Sequence, residues 1–243
     1  FQVDHELYKE MYVMEGKYCR KRTREEIIGM LYTYMRAIND IYKNARMDGM
    51  PAIKFAVKQI TIETRPNDDD LLPTHPLFAF INWICLTSIS EKYLFNLRRQ
   101  DHSEFGLSYA FTFRQFEDDT NGISLLADTD IRWGVCADFM PYFGLSSNVG
   151  AVTLRRPGGR LTAREVQWTL AHEIGHSLGA EHDDKNNPEG PFIMAYRAGR
   201  TAPLKFSKQS IEQIRTVLDD IQRSEQYEPM QTGNEGFKRN CLR

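Results

Sequence analysis

The sequence predicts an α/β fold, with a twisted mixed sheet and helices in an upper lobe (about residues 1–179). A smaller, mostly irregular lower lobe (about 180–243) ends in a C-terminal helix. Segments with the two-residue period of strands alternate with segments of helical period in the first part, and one amphipathic helix follows in the second. A length of 243 residues, with 41% hydrophobic and 26% charged residues, is ordinary for one globular domain. We therefore expect a single domain over 1–243.

Two helices and one strand are predicted in the first hundred residues. A capping box at Thr23 begins a helix over about 23–45, because apolar residues recur behind it with helical period. Apolar and polar residues alternate from Ile53 to Ile62, which predicts a half-buried strand. An Asp- and Pro-rich loop at 67–76 precedes a second, largely buried helix that we predict from Leu77 to about Arg99.

Three more strands and two more helices are predicted in the rest of the chain. Alternation or short apolar runs indicate strands at 107–113, 123–127 and 149–154. A second capping box, at Thr162, begins the helix that enters the motif described next. Ser207 is the predicted cap of the last helix, whose apolar residues share one face.

The segment from His172 to His182 has the pattern His-Glu-x-x-His-x-x-Gly-x-x-His. His172 and His176 are four residues apart, so a helix presents both imidazoles on one face. Gly179 allows the chain to leave the helix in a conformation that disfavours a Cβ, and the turn returns His182 as a third nitrogen ligand. Three protein ligands leave the fourth tetrahedral position of Zn²⁺ for water, which is typical of a catalytic zinc.

Glu173 lies beside the first ligand, where it reaches water rather than the metal. The pattern therefore predicts peptide hydrolysis by attack of a zinc-bound water, with Glu173 as general base and then general acid. A lone His-x-x-x-His pair is usually incidental, but the added Glu, Gly and third His at fixed offsets favour the metal site.

Charge and apolar runs exclude several other classes of function. The net charge is −2, so nucleic acid is not an expected partner. The longest apolar run, Leu77 to Leu86, is too short to span a bilayer. The chain opens at Phe1 without Met, as a processed mature form or a trimmed chain would. We expect an extracellular monomer that acts on proteins or peptides.

Four cysteines are widely spaced and include no Cys-x-x-Cys pair: Cys19, Cys85, Cys136 and Cys241. The spacing argues against a second zinc site and leaves two disulfides, in any of three pairings, or four buried thiols.

With Asp183 directly after the third histidine, the motif resembles that of the metzincin metallopeptidases, and of their adamalysin (reprolysin) branch in particular. That branch includes snake-venom metalloproteinases, membrane-anchored sheddases and arthropod venom and salivary enzymes. The segment Phe192-Ile193-Met194-Ala195 is similar to the family's Met-turn. The resemblance implies that Met194 underlies the three imidazoles and that Asp183 anchors the loop after His182 to backbone near this turn.

The resemblance also implies a disulfide. Gly134-Val135-Cys136 and Asn240-Cys241-Leu242 are similar to the two ends of a bridge shared by the family, which implies Cys136–Cys241 and leaves Cys19–Cys85. Phe192 stands where many members have a cysteine, so their lower-lobe disulfide is not expected here.

Substrate contacts are predicted at two places. An edge strand above the zinc helix can pair with an extended peptide, and the strand at 123–127 is the candidate, with Gly122 allowing close backbone approach. A plain sheet strand is the alternative. The resemblance implies a specificity pocket walled by 195–200, where Tyr196 and Arg197 lie, and a hydrophobic residue after the cut bond. The residues named as contacts are Ile123, Ser124, Leu125, Ala127 and Tyr196.

The family's structural calcium site is the weaker of the two metal expectations. In the family, this site draws partly on the first strand. Val3-Asp4 resembles the end of that strand, so its start is missing or trimmed in this chain, and Asp101 is the one candidate ligand. Two alternatives to a free-standing enzyme stay open: the peptidase domain of a membrane-anchored sheddase, and a toxin or adhesion module whose proteolysis is secondary.

Overall fold

A five-stranded mixed sheet forms the centre of the protein. The computed structural model describes residues 1–14, 20–45, 52–66, 88–117, 119–128, 133–184, 191–196 and 204–227. The strands lie in the order β2-β1-β3-β5-β4, and all neighbours are parallel except β4, which runs antiparallel to β5. Their bounds are β1 Gln2–Val3, β2 Thr61–Ile62, β3 Ser108–Thr112, β4 Gly122–Ser124 and β5 Val149–Thr153.

Helices cover both faces of this sheet. The described residues form α1 His5–Met14, α2 Arg20–Asn44, α3 Ile89–Arg98, α4 Ala163–Ser177 and α5 Lys208–Tyr227. The main apolar core joins one face of the sheet to α1, α2, α4 and α5, whereas a smaller cluster joins the other face to α3. Every residue of β3 and β5 is buried, as expected for strands covered on both faces. The α/β fold class predicted from the sequence is confirmed.

Two helices begin with the predicted caps. The hydroxyl of Thr162 accepts the backbone N–H of Glu165, and the backbone N–H of Thr162 donates to the Glu165 carboxylate. This capping box begins α4. The hydroxyl of Ser207 accepts the N–H of Ser210 at the start of α5. The apolar stripe predicted for α2 is buried: Ile27, Leu31, Tyr34, Met35, Ile38, Ile41 and Tyr42.

Two helices begin at residues other than those predicted. Thr23 is fully buried inside α2, which begins at Arg20. Ser88 is the N-cap of α3 and forms a capping box with Glu91, so this helix begins at Ile89 rather than at Leu77. The rest of the predicted helix and the acidic loop, at 67–87, lie outside the described residues.

Two predicted strands are shorter in the structure. Only Thr61 and Ile62 of the strand predicted over 53–62 pair in the sheet. The extended segment before them lies against α2 instead, where the side chain of Asn39 bonds both the N–H and the C=O of Phe55. The strand predicted at 123–127 is β4, which begins one residue earlier and ends at Ser124.

Two elements were missed in the sequence. Asp4 accepts the N–H of Leu7 and thereby caps α1, a signal that the sequence did contain. A short hairpin follows β5, formed by β6 (Arg155–Arg156) and β7 (Gly159–Arg160) around a turn at Pro157-Gly158.

Cys136 is disulfide-bonded. The other three cysteines lie outside the described residues, so Cys136–Cys241 and Cys19–Cys85 stay predictions. None of the helices that the structure describes is both long and apolar enough to cross a membrane.

The carboxylate of Glu117 closes the N-terminal end of α3. It accepts the N–H of Ile89 at 2.7 Å and both the N–H and the hydroxyl of Ser90, at 3.0 and 2.6 Å. Burial alone would raise the pKa of Glu117, but the bonds from Ser90 and Ile89 outweigh it and lower the pKa from 4.5 to about 2.

We expect Glu117→Gln to lower the free energy of unfolding by about 1 kcal/mol at pH 7, because the helix end loses a charged acceptor. Since the folded pKa lies below the unfolded one, this stabilisation is present above about pH 4.5 and is lost as the pH falls towards 2. Urea unfolding of the variant and of the parent protein at pH 7 and pH 3 measures it. An equal gap between the two proteins at both pH values would contradict the assignment.

Candidate metal centre and catalytic site

The buried helix α4 carries the first half of the predicted zinc motif. His172 and Glu173 are 7% and 6% exposed, and His176 follows one turn later. The helix packs under β5 and β4, and its position is fixed from the other side by Tyr42 of α2, whose hydroxyl donates to the carbonyl of Ala171. The metal-facing side chains therefore project from a helix that is held on two sides.

The structure brings the three predicted histidine ligands together. The Nε2 atoms of His172, His176 and His182 lie 3.1, 3.1 and 3.2 Å from one another. Three nitrogens on a tetrahedral zinc, at about 2.0–2.1 Å from the ion, would be about 3.3 Å apart. The spacing therefore fits one Zn²⁺ above the plane of the three atoms.

Hydrogen bonds on the far side of two rings fix which nitrogen faces the centre. Nδ1–H of His172 donates to the carbonyl of Ile193, and Nδ1–H of His176 donates to that of Ala180, each at 2.7 Å. Since a carbonyl only accepts, the Nδ1 atoms carry the protons, and a neutral ring then has a lone pair on Nε2.

The same three rings are poor bases. Burial, together with the neighbouring histidines, lowers the pKa of His172 to about 3 and that of His176 to about 4. Burial also lowers the pKa of His182. Neutral imidazoles with converging lone pairs are the donor set that zinc prefers.

Gly179 ends α4 and turns the chain towards the third histidine. Its φ of +97° belongs to the left-handed region, its N–H donates to the carbonyl of His176, and the N–H of Ala180 donates to that of Gly175. These two bonds form a Schellman motif. The turn also places the Ala180 carbonyl on Nδ1 of His176, so one structure both ends the helix and orients a ligand.

The segment 191–196 lies beneath the histidines. Met194 is fully buried, and its sulfur lies 2.5 Å from the position that a Cβ on Gly175 would take. The Met194 carbonyl accepts the N–H of Asp183, so the expected link between the third ligand's loop and this turn is made by the Asp183 backbone. The Asp183 side chain instead accepts hydroxyl bonds from Ser207 and Ser210 at the start of α5.

Glu173 lies beside the histidines in a pocket closed by β4. Its carboxylate accepts the hydroxyl of Ser124 at 2.7 Å. Burial raises the pKa of Glu173 from 4.5 to about 7, and the bond from Ser124 acts in the opposite direction. A carboxyl group that titrates near neutral pH is suited to take up and release a proton.

The other predicted substrate contacts are distributed around the site. The side chains of Ile123 and Leu125 pack into the cluster under α3 rather than towards the histidines. Ala127 is buried and its N–H donates to the carbonyl of His176. Tyr196 is 63% exposed, with its ring 5.0 Å from that of His182, whereas Arg197 lies outside the described residues.

The backbone of β4 presents an open edge. The N–H of Thr153 donates to the carbonyl of Asn121, so the hydrogen-bonded positions along this antiparallel pair are Asn121 and Ile123. The main-chain groups of Gly122 and Ser124 therefore point away from β5. Of the predicted contacts on this strand, Ser124 is therefore the one whose main chain is placed to pair with a peptide, together with Gly122 beside it.

Calcium receives no support. The side chain of Asp101, the candidate ligand, accepts the N–H of Ser103 two residues further along the chain. Within the described part of the chain, the three histidines are the one group of acidic, His or Cys side chains close enough together to hold an ion.

A mixed sheet over a helix that supplies two histidines and a glutamate, with a third histidine and a methionine below, defines a metzincin-type metallopeptidase domain. Known proteins agree with this class. The sequence model of the reprolysin-like metallopeptidase family M12B matches residues 21–220. The chain therefore belongs to the reprolysin-like M12B family of metallopeptidases, which use zinc.

Several curated relatives are similar over most of the chain. The disintegrin and metalloproteinase domain-containing protein 10 homolog of Caenorhabditis elegans is 33% identical over 99% of this chain and 28% of its own length. The human protein 10 of that name is 32% identical over 81% of this chain and 28% of its own. A zinc metalloproteinase/disintegrin of Bitis gabonica is 30% identical over 54% of this chain. The chain spans less than a third of the length of the first two relatives.

We expect Gly179→Ala to lower the free energy of unfolding by about 2 kcal/mol, since the left-handed conformation costs a residue with a Cβ about 1–2 kcal/mol. The new Cβ would also overlap Cγ2 of Val217 on α5. Urea unfolding of the zinc-loaded protein in the Glu173→Gln background measures the loss. The same substitution should be less damaging in a Val217→Ala background, where the overlap is removed; an equal or larger loss there would show that packing against α5 is irrelevant.

Proposed function

We propose that this domain is an extracellular zinc endopeptidase that hydrolyses peptide bonds in protein substrates. The observation that carries the proposal is the convergence of three imidazole Nε2 atoms beside a buried carboxylate. His172, His176 and His182 hold the ion in this proposal, and Glu173 is the general base and acid. Met194 and Asp183 support the ligands from below, and residues 1–243 act as one catalytic domain.

Zinc, when bound, supplies a Lewis acid that lowers the pKa of water and polarises a carbonyl oxygen. Glu173 takes the proton of the attacking water on its carboxylate and then passes it to the nitrogen of the leaving amine. The buried position of Glu173 favours both steps, because a raised pKa makes the carboxylate a stronger base and its protonated form stable near pH 7.

The substrate lies as an extended strand along β4 in this proposal. Outward main-chain groups of Gly122 and Ser124 pair with the peptide, which fixes its direction without requiring a particular sequence. Tyr196, exposed beside His182, lines the specificity pocket.

The peptidase domain of a longer disintegrin-containing protein is the second candidate context. The matched relatives are named as proteins with a disintegrin part, and the chain corresponds to under a third of the first two. Sequencing the complete transcript from the source decides between this context and a free-standing enzyme.

We expect Glu173→Gln to lower kcat on a protein substrate by about 10³-fold, within the range for loss of a general base. Bound zinc should remain at one ion per chain, because Glu173 does not supply one of the converging nitrogens. Glu181→Gln, the same change on an exposed side chain next to His182, is the matched control and should keep its activity. Full activity of the Glu173 variant would overturn the catalytic assignment.

We expect removal of metal by a chelator to abolish cleavage and one equivalent of Zn²⁺ to restore it. His182→Ala should weaken zinc binding in a competition assay, since two remaining imidazoles leave the tetrahedral set incomplete. Cleavage that survives complete removal of metal, verified by elemental analysis, would exclude the proposal.

A further inference from the structure

The edge strand β4 contacts the active-site helix through two residues of one face. Side chains at i and i+2 of a strand share a face, and Gly122 and Ser124 are the pair that faces α4. Ile123 between them packs on the opposite side of the sheet. The contact of β4 with Glu173 is thus made by Gly122, which has no side chain, and by the hydroxyl of Ser124.

Gly122 leaves the space that the Glu173 side chain occupies. A Cβ at position 122 would lie 2.7 Å from Cγ and 2.8 Å from Oε1 of Glu173, and 2.7 Å from Cγ2 of Thr169. All three distances are shorter than real Cβ contacts, so any larger residue would displace the glutamate or the strand. Glycine at position 122 therefore allows β4 and the Glu173 carboxylate to approach each other closely.

Ser124 holds the other oxygen of the same carboxylate. Its Oγ lies 2.7 Å from Oε2 and 2.9 Å from the backbone carbonyl of Glu173. A serine hydroxyl has one proton, and an ionised carboxylate is the stronger acceptor of the two. This bond leaves Oε1, on the side of Gly122, as the oxygen that can take a proton from water.

We propose that Ser124 is a positioning residue for the general base: its hydroxyl holds Oε2 of Glu173 so that Oε1 faces the reacting water. This inference rests on the proposed function, because it assigns a role to the neighbour of Glu173 in that reaction. It also links substrate binding to catalysis, since the outward backbone of Ser124 pairs with the peptide in the proposed complex while its side chain holds the base.

The test is steady-state kinetics of zinc-loaded Ser124→Ala on a fluorogenic peptide. We expect kcat to fall about tenfold or more, as for the loss of a hydrogen bond to a charged group, with KM changed by less than about twofold. Ser224→Ala is the matched control, because it removes a hydroxyl bond to the Ile221 carbonyl on α5, far along the chain from the site.

A double-mutant cycle separates this inference from the proposed function. If Ser124 acts through Glu173, Ser124→Ala should cause no further loss of the residual activity of Glu173→Gln. Zinc content and melting temperature of each variant show that the protein is folded and loaded. An unchanged kcat in Ser124→Ala, a rise in KM alone, or an additive loss in the double variant would each overturn the positioning role while the Glu173 assignment stands. Full activity of Glu173→Gln would instead remove the proposed function itself.

Discussion

Three histidine Nε2 atoms that lie within 3.2 Å of one another are the constraint on which the rest of the site depends. The protons of His172 and His176 are committed to backbone carbonyls, so the facing atoms of these rings have no hydrogen to offer each other. Such an arrangement is unfavourable in a buried place unless a cation accepts the lone pairs. Each supporting feature serves to hold it: the fixed helix, the left-handed turn, the buried methionine and the Asp183 bonds to α5.

The sheet explains how the carboxyl group of Glu173 is kept away from water. The strands β3 and β5 are covered on both faces, and α4 packs against this buried layer. Glu173 is enclosed between α4 and the edge strand β4. Removal from water raises the proton affinity of Glu173, and the one hydroxyl on its carboxylate limits the rise. Burial and polar contact are therefore balanced on one side chain.

What could be predicted from the sequence was set by the range of the interactions. The zinc motif lies within eleven residues, so helical period and one glycine were enough to bring His172, Glu173 and His176 to one face and return the third ligand. The Thr162 capping box and the Ser207 cap are equally local. These parts of the fold and the site were predictable.

The features that sequence reasoning missed depend on contacts between distant segments. Ser124 and Glu173 are 49 residues apart, and no local pattern indicates that a strand hydroxyl meets the helix carboxylate. The segment at 53–60 has a strand's alternation, yet Asn39 binds its backbone and it remains outside the sheet. Alternation reports which side is buried; it does not report which partner takes the backbone hydrogen bonds.

The C-terminal end of α4 also supports the loop that leads to the disulfide. The carbonyls of His176 and Ser177 accept the N–H groups of Ala127 and Val135. These two residues of the segment between β4 and Cys136 are therefore bonded to the same turn of helix that carries a proposed metal ligand. Loosening of that turn after loss of the ion would release the loop from both anchors.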